Sequence, residues 1–93
     1  MRLSEQEIIN AICMHLAERK QLQPTQIEVE MMWDEDYGFS AEVHSEGRSY
    51  IIIASTIKEA IARYMLTQHN VEVISEQIHL QLNEEIVADI IYN

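Results

Sequence analysis

The sequence predicts a single two-layer α+β domain, in which two helices pack on an antiparallel sheet of up to five strands, in the order α-β-β-β-α-β-β. Its 93 residues are enough for one domain and too few for two, so residues 1–93 are predicted to form one unit. A hydrophobic content of 47% beside 24% charged residues, with only two glycines and one proline, is typical of a packed core. The apolar residues change along the chain between the helical spacing of 3.6 and the strand spacing of two, which predicts the mixed class.

The first helix is predicted to begin after Ser4, because Ser4 and Glu7 have the spacing of a capping box. A helical period of about 100° per residue gathers several apolar side chains on one arc. These are Ile8, Ile9, Ile12, Cys13 and Leu16. The helix is expected to end near Lys20, before Pro24.

Three strands are predicted next. Residues 27–33 and 39–44 alternate apolar and polar side chains, and the turn-forming residues 34–38 lie between them, so the two strands should pair antiparallel. Glu46 and Gly47 indicate a tighter turn before residues 50–53. Since residues 50–53 are apolar at every position, this third strand is expected to be covered on both faces and to be the best buried.

A second helix is predicted from Thr56 to about Gln68, because Thr56 and Glu59 repeat the capping-box spacing directly after the third strand. Residues 78–82 alternate, residues 83–85 form a turn, and residues 86–92 have strand character again. These patterns predict two further strands of the sheet after the second helix.

Charge and cysteine content restrict the possible partners. Sixteen acidic residues against six basic ones give a net charge of -10, which repels phosphate backbones and anionic lipids, so neither nucleic acid nor a membrane is an expected partner. The lone Cys13 cannot form an intramolecular disulfide, which suits a reducing compartment. No apolar run approaches the roughly 18 residues of a membrane span, and residues 1–7 lack signal-peptide features. A cytoplasmic location is expected.

Metal-binding patterns are present but incomplete. Asp34, Asp36 and Gly38 have the spacing that opens a calcium loop, but the twelfth position is Ser45 instead of Glu, which favours a solvated hairpin turn. The weak metal candidates are therefore Asp34, Asp36, Glu42 and His44.

His44 lies in phase with Glu42 and Glu46 on the polar side of the second strand, and could share a zinc or manganese ion with His79 if their strands were neighbours. The competing interpretation is a set of scattered surface histidines. Cys13 and His15 are about 200° apart around a helix, so Cys13 is expected to be a buried, unreactive thiol. The sequence predicts no catalytic residue and no cofactor.

Some apolar residues fall on faces that the alternation assigns to solvent. If they shared one sheet face, the patch would be larger than a monomer usually exposes, and self-association or a protein partner would cover it. The interface candidates are Met32, Tyr50, Ile52, Val87 and Ile91. The alternative is that the terminal strands or the second helix cover this face within the chain.

Three stretches of the chain, residues 3–12, 32–42 and 47–49, resemble the YxcD family of small uncharacterised proteins from Bacillus and relatives. The resemblance runs over nearly the whole chain and implies a bacterial cytoplasmic protein. That family has no assigned activity or cofactor, so the resemblance implies no site residue.

Two shorter likenesses concern function. The α-β-β-β-α order is similar to the double-stranded RNA-binding domain, but the second helix here begins with one Lys58 beside Glu59 and lacks the Lys-rich start of that family. Residues 55–61 resemble the HicB-type antitoxin segment, in which a capped helix follows a β-sheet. The favoured function is protein-protein interaction or homodimerisation. A small metal-dependent or hydrolytic enzyme that uses the His44, Glu42 and Glu46 face and a HicB-like antitoxin module stay open as alternatives.

Overall fold

A computed structural model describes residues 1–91 of the chain. The fold class is α+β, with both helices packed against strands, as predicted. The helices are α1 (Glu5–Lys20) and α2 (Ala54–His69). The strands are β1 (Arg2–Leu3), β2 (Ile27–Asp34), β3 (Gly38–Ser45), β4 (Arg48–Ile53), β5 (Ile78–Leu82) and β6 (Ile86–Ile90). The predicted order is confirmed, and the short β1 is an addition to it.

Helix α1 begins and ends where its sequence predicts. The Ser4 hydroxyl accepts a hydrogen bond from the Glu7 N–H at 3.2 Å, and the Glu7 carboxylate accepts one from the Ser4 N–H at 3.1 Å. Gln21 follows Lys20 in the left-handed conformation with φ 58°, and its N–H donates to the carbonyl of Ala17. This end satisfies carbonyl groups that the last turn leaves without helical partners.

Helix α2 begins two residues earlier than the capping-box prediction. Ile53 is its N-cap, with φ -96° and ψ 172°, and it supplies no side-chain cap. Because β4 runs directly into the helix, the last extended residue of the strand determines where the helix starts, and Thr56 lies within the first turn. The helix ends at His69, one residue after the predicted end.

The strands form two three-stranded antiparallel sheets instead of one five-stranded sheet. Their orders are β2-β3-β4 and β1-β6-β5. The second sheet contains three strands because β1 pairs with β6, through Arg2 opposite Asp89 and Leu3 opposite Ala88. Helix α1 contacts β2 and β6, and α2 contacts β3 and β4, so one core joins both sheets.

The third predicted strand, β4, is not covered on both faces. It is an edge strand, while β3 is the central one. Ile52 is only 7% exposed, but its neighbours Ile51 and Ile53 are 52% and 63% exposed. The expectation of the best-buried strand is therefore wrong, because the helices cover only one face of this sheet.

Strand β6 is the best-buried strand among the described residues. It is the central strand of its sheet, and four of its five residues are buried: Ile86, Val87, Ala88 and Ile90. The predicted continuation to Tyr92 lies outside the described residues. No helix within residues 1–91 is long and apolar enough to cross a membrane.

Candidate functional site

The outer face of the β2-β3-β4 sheet is the side turned away from the helices. Side chains of a strand alternate between the two faces, and the buried residues Ile27, Ala41, Val43 and Ile52 identify the inner one. The outer face thus consists of Glu28, Glu30, Met32, Asp34, Gly38, Ser40, Glu42, His44, Ser49, Ile51 and Ile53.

Cross-strand pairing arranges this outer face in rows. Glu30, Glu42 and Ile51 form the middle row, because Glu30 is directly opposite Glu42 and Glu42 is directly opposite Ile51. The row towards the β2-β3 turn joins Met32, Ser40 and Ile53 in the same way, which leaves apolar side chains at both of its ends. Carboxylates therefore lie along β2 and β3, and exposed isoleucines lie along β4.

The carboxylates of the outer face have little internal compensation. None of the described residues assigned to this face is Lys or Arg. Among the described residues of this face, His44 Nε2 lies 3.2 Å from Glu42 Oε1, a contact that is an ion pair only when the imidazole is protonated. Like charges directly opposite each other on neighbouring strands destabilise a sheet, so the Glu30–Glu42 pair is an unfavourable feature of the isolated chain.

The backbone edge of β4 is open. Glu46 and Gly47 both have positive φ, 56° and 74°, and form a two-residue turn that pairs Ser45 with Arg48. In such a hairpin the residues that flank the turn exchange both hydrogen bonds, and alternate residues beyond them repeat this. The N–H and C=O groups of Ser49 and Ile51 therefore point to the opposite edge, where no described strand pairs with β4.

The other edge of this sheet adjoins helix α1. The Cys13 thiol donates a hydrogen bond to the carbonyl oxygen of Ile27 at a distance of 3.4 Å, across a cleft of about 690 Å³ between α1 and β2. Cys13 is half-buried, and this burial raises the pKa of its thiol, which lowers the population of the reactive thiolate. The predicted buried thiol is therefore only partly enclosed, and its partner is a backbone carbonyl.

His15 lies apart from the Cys13 thiol, against helix α2. Its Nε2 is buried and has no hydrogen-bond partner within residues 1–91. Burial is the main cause that lowers the pKa of His15, while the nearby Glu59 carboxylate acts in the opposite direction. These surroundings favour a neutral imidazole.

The weak metal candidates do not come together. Asp34 Oδ1 accepts the backbone N–H groups of Asp36 at 2.7 Å and Tyr37 at 3.1 Å, so this carboxylate stabilises the hairpin turn. Glu42 is four residues along β3 from that turn, about 13 Å at the rise of a strand. His44 and His79 lie in different sheets.

Across the part of the chain that the structure describes, no group of three or more His, Cys, Asp and Glu side chains is arranged to hold a metal ion. Glu46 lies in the β3-β4 turn, and it lines an open cleft of about 420 Å³ together with His44, Glu28 and Arg48.

The five predicted interface residues do not share one face. Met32 is half-buried on the outer face, and Ile91 is 52% exposed beyond β6. The other three are covered within the chain, which was the stated alternative to a shared exposed patch. Tyr50 and Ile52 lie on the inner face against the core, and Val87 is 5% exposed in a central strand.

Ile51 and Ile53 are the exposed residues that the sequence interpretation missed. A signal for them was present, because a two-residue turn at Glu46–Gly47 fixes the pairing of the strands on either side. That pairing places Ile51 opposite Glu42 and Ile53 opposite Ser40, which are polar-side residues of the preceding strand.

The outer side of the second sheet differs in its charges. Arg2 donates two hydrogen bonds to Asp89, at 2.7 and 3.0 Å, and the amide of Gln81 donates a third at 2.6 Å. The hydrogen bond from Arg2 is the main cause that holds the pKa of Asp89 below its ordinary value. This side of the molecule is internally compensated.

Comparison with known proteins identifies a family but no characterised relative. No curated protein and no solved structure matches the chain. A family model described as "Protein of unknown function (DUF2653)" matches residues 1–85. This match covers both helices and the whole β2-β3-β4 sheet, and it ends immediately before β6. The chain therefore belongs to the DUF2653 family.

Proposed function

We propose that the protein acts by protein-protein interaction, and that its contact surface is the outer face of the β2-β3-β4 sheet together with the open edge of β4. The observation that carries this proposal is the pair Ile51 and Ile53, which are 52% and 63% exposed on a strand that has one neighbouring strand within residues 1–91. Proteins normally shield, charge or shorten such edges, because an apolar edge strand invites pairing with another chain.

The energetic gain from covering this surface is substantial. Burying a large aliphatic side chain contributes about 1.5–3 kcal/mol relative to full exposure, and Ile51 and Ile53 retain at least half of that exposure. The backbone groups of Ser49 and Ile51 supply hydrogen bonds to any chain that pairs with β4. Burial of the isoleucines therefore supplies affinity for an extended segment, and the backbone hydrogen bonds align that segment with β4.

The alternative functions have less support. The enzyme hypothesis depends on His44, Glu42 and Glu46, and among the described residues the close contact within this group is His44 Nε2 to Glu42 Oε1. The likeness to a HicB-type segment depends on a capped helix start at Thr56, but α2 begins at Ala54. A homodimer through β4 would bring together two copies that each carry a net charge of -10.

Within the DUF2653 family, our proposal places the chain among the YxcD-like proteins of the bacterial cytoplasm. The resemblance of residues 3–12, 32–42 and 47–49 supports this assignment, as does the single cysteine. The proposed partner is a protein, since the acidic charge disfavours nucleic acid and anionic membranes.

Affinity capture with matched variants tests this proposal. The tagged protein, the double variant Ile51→Ser/Ile53→Ser and the control Leu66→Ser/Ile74→Ser are incubated with a Bacillus lysate. The control residues are 44% and 57% exposed and lie away from β4. We expect one captured protein to be lost with the β4 variant and retained with the control.

Equal capture by the two double variants contradicts the proposed surface. Light scattering on the purified protein provides the second readout, because a dimer of wild type that the β4 variant dissociates would identify the partner as a second copy. Circular dichroism of each variant shows that the fold is intact.

A further inference from the structure

We propose that the occupant of this surface is an extended, basic segment of a partner protein, which pairs with β4 as an added strand and places Lys or Arg side chains over the carboxylates of the outer face. This inference rests on the proposed function and specifies the chemistry of the partner. It follows from the charges of the face, its backbone edge and its row geometry.

The Glu30–Glu42 pair has no Lys or Arg partner within the described residues. The chain has six Lys and Arg residues, and the ion pairs that they form with carboxylates within residues 1–91 are Arg2–Asp89 and Arg63–Glu18. Lys20 lies over the Tyr50 ring on the inner side of the sheet, with Nζ 4.6 Å from the ring centroid. Arg48 lines the cleft beside Glu28 and His44, and it forms no ion pair with Glu30 or Glu42. The Glu30–Glu42 pair therefore has no Lys or Arg partner among the described residues, and a basic group from another protein can supply one.

The open backbone edge of β4 favours a partner in strand conformation. The outward N–H and C=O groups of Ser49 and Ile51 are spaced as an antiparallel or parallel neighbour requires. An extended polypeptide satisfies them along its length. A folded surface with side chains alone does not, so the edge selects a segment in strand conformation.

A Lys or Arg on a strand added to β4 can reach the carboxylates of the outer face. A strand added to β4 would lie about 10 Å from β3, because each pairing adds about 4.8 Å. A Lys or Arg opposite Ile51 can lay its methylene groups along the exposed isoleucine and bring its charged end to Glu42, the next residue of the row. Glu30 then lies directly behind Glu42 and adds to the attraction.

A second copy of the chain fits this surface less well. Its own β4 would present Ser49, Ile51 and Ile53 on the outer face, which includes no cation, and would add a second set of carboxylates. The basic partner segment satisfies the charges and the edge together. The proposed partner is therefore a different protein and not a second copy of this chain.

The test uses a fluorescent ten-residue peptide of alternating Lys and Val as the probe, titrated against the folded full-length protein. The test variant Glu30→Gln/Glu42→Gln removes two charges from the face. The control Glu76→Gln/Glu84→Gln removes two exposed charges outside the β2-β3-β4 sheet. We expect the test variant to weaken binding about tenfold and the control by less than about twofold, with binding by wild type falling as salt rises.

A second peptide examines the strand pairing. It has the same composition, but alternate backbone nitrogens are methylated, so it cannot donate hydrogen bonds to β4 on one edge. We expect at least a tenfold loss of affinity with this peptide. Absence of binding by the unmodified peptide, equal weakening by the two glutamine variants, or equal affinity for the methylated peptide would overturn the inference.

Failure of this inference is distinguishable from failure of the proposed function. If the peptide results are negative while Ile51→Ser/Ile53→Ser still loses its captured protein, the interaction surface stands and only the basic strand is wrong. If the isoleucine variants also capture normally, both proposals fall.

Discussion

The outer sides of the two sheets have opposite characters. On the β1-β6-β5 sheet, Asp89 is paired with Arg2 and Gln81, and Val87 is 5% exposed. On the β2-β3-β4 sheet, Glu30 faces Glu42 and Ile51 is half exposed. Both sheets are antiparallel and three-stranded, so strand pairing does not explain the difference.

The two sides differ in whether their charged, apolar and backbone groups have partners within the chain. On the first side Asp89 has hydrogen-bond partners and Val87 is buried. On the second side the Glu30 carboxylate, the exposed isoleucines and the outward backbone groups of β4 lack such partners among the described residues. A protein tolerates groups of this kind where they are used for recognition, and an unfavourable local arrangement is more informative about function than a stable one. The contrast supports the β2-β3-β4 side as the proposed interaction surface.

The largest expected effect is the difference in stability between alanine substitutions at two neighbouring residues of β4. Ile52→Ala should lower the free energy of unfolding by about 2–5 kcal/mol, because it removes a buried side chain from the core. Ile51→Ala should lower it by no more than about 1 kcal/mol, since that side chain is already half in solvent. Denaturant titration of the purified variants measures both values, and similar losses would show that the outer face is covered after all.

A smaller effect of opposite sign is expected at the like-charge pair. Glu30→Gln should raise the free energy of unfolding by about 0.2–1 kcal/mol, because it removes the repulsion from the Glu42 carboxylate directly opposite. The gain should shrink as salt screens the charges. Glu84→Gln serves as the control that changes the net charge equally. A destabilised Glu30→Gln variant at low salt would mean that the pair is compensated.

The smallest expected effect concerns the compensated side and appears as a dependence on pH. Arg2 holds the pKa of Asp89 below its ordinary value of 3.8, so the folded state binds a proton less readily than the unfolded chain. The stabilisation of the folded state by the Arg2–Asp89 pair is therefore complete above about pH 3.8. It is lost as the pH falls through the lower pKa that Asp89 has in the folded state. Asp89→Asn should remove it.

Thermal unfolding of wild type and Asp89→Asn between about pH 6 and about pH 2 measures this contribution. The difference in stability between the two proteins should be greatest at the upper end and should narrow below the ordinary carboxyl range. A difference that does not change with pH would show that the Arg2–Asp89 pair is not maintained in solution.

Local sequence chemistry predicted the elements well and the site poorly. Ser4 and Glu7 determined the start of α1, because a capping box needs no distant residue. The same pattern at Thr56 failed, because a strand that leads directly into the helix decided its start. For the site, the polar phase of β3 was recognised, but the exposed residues of β4 were assigned to the wrong face.

The sequence by itself determined the order of helices and strands, the two turns at residues 34–38 and 46–47, and the acidic charge, since each depends on spacing or composition within a few residues. Only the tertiary structure decided which sheet face the helices cover. An apolar run such as residues 50–53 has the same pattern whether one face or both are buried, and burial depends on layers that distant segments supply. The pairing of β1 with β6 could not be predicted from local patterns either, because it joins residues that are 85 and 87 positions apart in the chain. The composition of the second sheet follows from this long-range pairing. The exposure of Ile51 and Ile53 follows from the local register of the β3-β4 hairpin, which the sequence signals, and from the face that the helices cover.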